Sequence, residues 1–234
     1  MTSLLQILKD WFAPWRAYLA EFLGTFVFVL IACGSVLANI FYGEIGPLGI
    51  ALASGLAISA MMFVTSHLSG ANLNPAVSLA LWLSQKLSSI RLIFYIVFQL
   101  LAGFAAAGVL LLVFGAEALK YGLGGPTIGA GVSLSTALVV EAILTAILVL
   151  VIFATIVDRR GPVSFGALAV GLMVVAASIF GSAISGAVLN PARGIGPLVL
   201  SGSYNDLAVW IVGPAVGSLM GVFYDLLFLR KGKK

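Results

Sequence analysis

Ser69-Gly70-Ala71-Asn72-Leu73-Asn74-Pro75-Ala76 returns later in the chain as Ser185-Gly186-Ala187-Val188-Leu189-Asn190-Pro191-Ala192, with seven of eight positions identical. Asparagine is a favoured helix N-cap and proline suits the first helical position, so each Asn-Pro-Ala reads as a helix start. Gly70 and Gly186, ahead of each, allow the chain to approach in a non-helical conformation. The segments that follow, near 74–84 and 190–200, are apolar but shorter than the roughly 20 residues needed to cross a bilayer. Each comes directly after a long apolar run, so each can re-enter the membrane from the side that run reached.

Working outward, the likeness between the halves continues. Gly55-Leu56 matches Gly171-Leu172 at the same distance from the motif, and Glu21, Thr25 and Leu30 match Glu141, Thr145 and Leu150. Tyr95-Ile96-Val97 matches Trp210-Ile211-Val212 more weakly. Long apolar runs fall at about 17–39, 47–67, 90–114, 135–157, 163–183 and 206–229. Each repeat, about 17–114 and 135–229, therefore holds three spans, an odd number, and the second must lie upside down relative to the first. Inverted repeats place a functional site near the midplane, at interrupted helices. The expected fold is an all-α membrane protein with six transmembrane helices and two re-entrant half-helices, forming one domain over residues 1–234.

Composition agrees. The 234 residues are 62% hydrophobic and 9% charged, against about 25% charged in a soluble domain, and the mean hydropathy is +1.18. Water could not solvate such a surface, so the lipid bilayer is the first partner. The spans leave no room for a separate soluble domain, and the first apolar run lacks the pattern of a cleaved signal peptide. The single cysteine, Cys33, excludes an internal disulfide. The net charge of +4 does not imply nucleic acid, because the basic residues follow the membrane. Ten of the twelve, namely Lys9, Arg16, Lys86, Arg91, Arg159, Arg160, Arg230, Lys231, Lys233 and Lys234, fall on one side of a six-span topology. Positive residues stay inside, which makes both termini cytoplasmic in the cell membrane. The basic tail could also meet anionic lipid.

Irregular backbone survives within a membrane only where protein buries it or a cavity hydrates it. The two loops should therefore line a wet cavity where the inverted helix starts meet. Two helix N-termini aim partial positive charge at that place, and the Asn74 and Asn190 amides can donate hydrogen bonds to a water or hydroxyl oxygen there. A cation meets a positive barrier, and the imposed orientation of water interrupts proton relay. An enzyme is disfavoured: with one histidine, scattered acids and no nucleophile–base pair, no catalytic residue, cofactor or metal site is expected.

These residues resemble the aquaporin, or major intrinsic protein, family over nearly the whole chain. The elements that carry the resemblance are Ala20-Glu21-Phe22-Leu23-Gly24-Thr25, the run from His67 to Val77, Gln99, Glu141, Ser185-Gly186-Ala187, Asn190-Pro191-Ala192-Arg193, Gly196-Pro197, Trp210 and Gly213-Pro214. The resemblance implies passive permeation and a homotetramer with one pore in each subunit. It also implies that Arg193, a costly charge within a membrane segment, forms the narrow filter of the outer vestibule. Glu21 and Glu141 would accept hydrogen bonds from the re-entrant loops. Apart from the resemblance, His67, the one histidine, reads as hydrogen-bonded at the start of the first loop, with a gate that switches near neutral pH as the alternative. Transferred by distance from the two motifs, the family filter falls on Ser54, Ser178, Ala187 and Arg193.

Water-selective members of the family typically carry an aromatic ring and a histidine at the first two filter positions, and glycerol-type members carry aromatic bulk. Two serines and an alanine imply a wider opening lined by hydroxyls that both donate and accept. Asn72 stands where the family often has histidine, and Gly194 and Leu198 fit neither subgroup. The expected solutes are water and small neutral polar molecules such as glycerol, urea or metalloid hydroxides. A strictly water-selective channel is the alternative, and a coupled transporter or a closed structural protein stands further off.

Overall fold

A computed structural model describes residues 11–229. Lys9, Arg230, Lys231, Lys233 and Lys234, which contribute to the orientation argument, lie outside the described residues. The helices in chain order are α1 (Trp15–Tyr42), α2 (Gly46–Ser69), α3 (Pro75–Leu83), α4 (Ser89–Phe114), α5 (Leu134–Ile152), α6 (Gly166–Gly181), α7 (Pro191–Ser201), α8 (Leu207–Gly217) and α9 (Met220–Tyr224). The last turn of α5 widens into a π-helix over Phe153–Val157. A short 3-10 turn at Val163–Phe165 leads into α6. The sixth span, Leu207–Leu229, is built from α8, α9 and a closing π-turn. Six stretches are long and apolar enough to cross a membrane, each within a few residues of its expected position. Helices α3 and α7 are the two short ones that follow the Asn-Pro-Ala motifs.

Local chemistry sets the boundaries. Ser88 and Ser133 cap α4 and α5, each side chain accepting a backbone N–H of the first turn. Helix α2 carries its proline at the first turn and stops at Gly70, which takes the left-handed conformation (φ 88°). Within α8, Pro214 cannot donate a backbone hydrogen bond, and the helix ends at Gly217 and resumes as α9.

Helix α1 packs against α2 and α4, α5 against α6 and α8, α2 against α6, and the half-helix α7 along α4. Lipid tails supply no hydrophobic drive between such helices, so close backbone approach must hold them together. At the α2–α6 crossing, a Cβ on Gly55 or Gly171 would run into the other glycine's carbonyl oxygen. Between α4 and α7, a Cβ on Gly196 would run into the carbonyl of Gly103, and one on Gly103 into the carbonyl oxygen of Ala192. The largest fully buried side chains include Tyr18, Tyr95, Phe153, Leu37 and Leu73. Leu48, Leu56, Phe63, Ile93, Leu112, Phe180 and Phe223 point outward, where a lipid chain would cover them. A 3-10 stretch over Ala116–Gly124, not foreseen in the sequence, folds back against α1 between α4 and α5.

Candidate functional site

The site begins at the two re-entrant loops. Asn74 and Asn190 both sit in extended backbone (φ −158° and −139°) immediately before their half-helices. Each Oδ1 accepts the backbone N–H two residues on, Ala76 at 2.8 Å and Ala192 at 3.0 Å, as an N-cap should. With the oxygens so used, the amide nitrogens turn to the opposite repeat. Asn74 Nδ2 donates to the carbonyl of Leu189 and Asn190 Nδ2 donates to the carbonyl of Leu73, both at 2.8 Å. The half-helices are thus tied head to head. An amide nitrogen carries two hydrogens, so each asparagine keeps one for the cavity that both line.

The loops are bent into conformations that side chains resist. Ala71, Leu73, Ala187 and Leu189 all have positive φ, between 46° and 55°, a region that is unfavourable for non-glycine residues. Two fully buried glutamates hold them there. Glu21 accepts from Ser69 Oγ (2.6 Å) and Asn72 N (3.0 Å) on Oε1, and from Leu73 N (2.6 Å) and Gln99 Nε2 (2.8 Å) on Oε2. Glu141 accepts from Ser185 Oγ (2.7 Å) and Val188 N (2.9 Å) on Oε1, and from Leu189 N (2.9 Å) on Oε2. Charge-assisted bonds of this kind are about twice as strong as neutral ones. Tyr95 and Trp210, the weakly matching pair, do the same work: each donates at 2.7 Å to the carbonyl where its loop begins, Ser69 or Ser185.

His67 departs from expectation. It is exposed on the last turn of α2, and its side chain makes no hydrogen bond among the described residues. The helix ends at Gly70 and its final turn carries His67 away from the loop, so the loop entry is tied by Ser69 and Tyr95 instead.

Two cavities meet beyond the asparagines. The central one is lined by Asn72, Asn74, Asn190 and Ala187 with apolar side chains from Phe28 to Val174. The outer one is lined by Ile50, Pro126, Thr127, Ser182 and Gly186, among others. Ser54 from α2, Ser178 from α6 and Arg193 from α7 line both. Ser54 Oγ donates to the carbonyl of Ile50 at 3.0 Å, which leaves its lone pairs to the cavity. Arg193, 7% exposed, reaches the carbonyl of Gly186 through Nη1 at 3.4 Å, and among the described residues it is the only ionisable one on the central lining. Among the described residues, no group of three His, Cys, Asp or Glu side chains could hold a metal ion.

The family model for the major intrinsic protein matches residues 8–225. The chain belongs to the major intrinsic protein family. It is 40% identical over 221 residues to aquaporin NIP3-1 of Arabidopsis thaliana, covering 92% of this chain and 68% of that one. It is 41% identical to the lens fiber major intrinsic protein of Lithobates pipiens, over 94% of this chain and 84% of the relative. To aquaporin Z of Photorhabdus laumondii it is 35% identical, over 92% and 99%. Among solved structures it resembles the aquaglyceroporin from Plasmodium falciparum with a TM-score of 0.80 and 26% identity, over 92% of this chain and 96% of that one. As a member of the major intrinsic protein family with six apolar spans, it is a multi-pass membrane channel protein of the aquaporin class.

Proposed function

We propose that this chain is a passive channel for water and small uncharged polar solutes, such as glycerol, urea or metalloid hydroxides, that excludes protons and ions. Ser54, Ser178, Ala187 and Arg193 form its selectivity filter, and Asn74-Pro75-Ala76 with Asn190-Pro191-Ala192 form its central station. The observation that carries the reading is the junction of the two cavities, where the residues shared by both linings are two serines, Ser54 and Ser178, and the largely buried Arg193. Ser54, its hydrogen given to Ile50, offers lone pairs, and Arg193 offers donors, so solutes richer in polar groups than water can exchange hydration for protein contacts there. The likeness to an aquaglyceroporin supports a solute range beyond water.

Ions are refused for a separate reason. Arg193 and the starts of α3 and α7 aim positive charge along the path, and among the described residues no carboxylate lines the central cavity or the one that meets it. The whole chain, 1–234, works as one channel domain without catalytic activity. It assembles as a homotetramer with a pore in each subunit, in the cell membrane, with both termini cytoplasmic. Glycerol uptake into vesicles reconstituted with the purified protein tests passive permeation. Interior glycerol should rise to the exterior concentration and stop, with or without a proton or sodium gradient. Accumulation above that level would make the protein a coupled transporter.

A further inference from the structure

The inverted repeat is broken at three matching positions. Asn72 has Val188 as its counterpart, Ser78 has Gly194, and, counting from Tyr95 and Trp210, Gln99 has Pro214. In the first repeat these three side chains form one connected chain. Gln99 Nε2 donates to Glu21 Oε2 at 2.8 Å and to Ser78 Oγ at 3.0 Å, and Asn72 Nδ2 donates to Ser78 Oγ at 3.1 Å. All three are buried. The second repeat has nothing of the kind, yet Glu141 and Ser185 hold its loop with the same bend at Ala187 and Leu189. Bending a loop therefore does not require the chain that ends on Asn72.

The chain does fix which atom of Asn72 the pore meets. Its amide nitrogen is turned to Ser78, so its carbonyl oxygen, which accepts no hydrogen bond among the described residues, faces the central cavity. Much of the same cavity is lined by apolar side chains, among them Phe28, Ile58, Met62, Val77, Leu148 and Ile152. A solute O–H or N–H entering this stretch must find an acceptor or bear the cost of leaving water unpaired. The side-chain donors on the same lining are Arg193 and the amides of Asn74 and Asn190.

We infer that Asn72 is a second discriminating position of the pore, an acceptor that favours solutes rich in O–H and N–H groups, and that Ser78 is its positioning residue. The inference rests on the channel reading above. Vesicles carrying wild type, Asn72→Val or Ser78→Ala are compared by stopped-flow light scattering, for water under a sucrose gradient and then for glycerol and urea. Asn72→Val, which copies the counterpart residue, lowers glycerol and urea permeability about fivefold, roughly the worth of one hydrogen bond, while water permeability stays within about twofold. Ser78→Ala leaves Asn72 in place but frees its amide to turn, and lowers the same ratio by less; Ser78→Thr keeps the hydroxyl and restores it. An unchanged solute-to-water ratio in Asn72→Val and Ser78→Ala overturns the inference, as does an equal loss of water and solute flux. A wild type that carries water but neither glycerol nor urea would overturn the wide-filter reading, and this one with it, before any substitution is made.

Discussion

Each motif asparagine serves two structural ends at once: its oxygen caps its own half-helix and its nitrogen bonds the loop of the other repeat. The glutamates matter as much. A glutamine at Glu141 would set an NH₂ group against one of the loop's own donors and remove the charge from the remaining bonds. Glu141→Gln should therefore cost on the order of 3 kcal/mol, the sum of weakened charged hydrogen bonds and an unsatisfied buried donor. Thermal unfolding in detergent checks this, and a midpoint equal to wild type would mean the loop does not depend on the carboxylate. The proposed filter is tested at other residues. Replacing Ser54 and Ser178 together with bulky aromatics should suppress glycerol flux by an order of magnitude or more while water flux falls far less, since steric closure acts first on the larger permeant. Equal loss of both fluxes would place the filter elsewhere.

Among elements, the half-helices were the most legible, because an Asn cap, a Pro at the first turn and a Gly before the loop are local chemistry that needs no tertiary context. The left-handed backbone at Leu73 and Leu189 was not legible. Nothing in a leucine side chain announces a positive φ, and the carboxylates that impose it lie about fifty residues away in the chain. The role of Tyr95 and Trp210 could have been found, since the repeat alignment already paired them. The turn between α5 and α6 offers a further test. Asp158 accepts from Arg160 Nε (2.8 Å) and Nη2 (2.6 Å), and Arg160 Nη2 also donates to the carbonyl of Phe228 at 2.8 Å, tying the turn to the end of the sixth span. Tyr224 adds a bond to the same carboxylate at 3.2 Å. Hydrogen bonds from the Arg160 side chain and backbone hold the Asp158 carboxyl well below the usual carboxylate range. A carboxylate depressed in the folded state stabilises above its unfolded pKa and loses that contribution as pH falls through its folded value. Asp158→Asn should thus melt below wild type at neutral pH, with the gap narrowing in strong acid. A gap that does not change with pH would contradict the ion pair's part in it.

For the molecule as a whole, the odd number of spans in each repeat required inversion, and inversion brings two helix starts to one point. That much followed from counting apolar runs and recognising a repeated octapeptide. What could not be read was how the cavities join. The serines at 54 and 178 are 124 residues apart, and they line the same two cavities where α2 and α6 pack together, with Gly55 and Gly171 letting the backbones touch. The central claim is that this junction forms a passive pore wider than a water filter. The most direct measurement is the volume of vesicles holding the purified protein, followed by stopped-flow light scattering in a sucrose gradient and then in a glycerol gradient. The account predicts fast shrinkage in sucrose, then fast shrinkage and fast reswelling in glycerol, each well above empty vesicles. Shrinkage without accelerated reswelling would contradict the wide filter, and no acceleration in either gradient would contradict the pore itself.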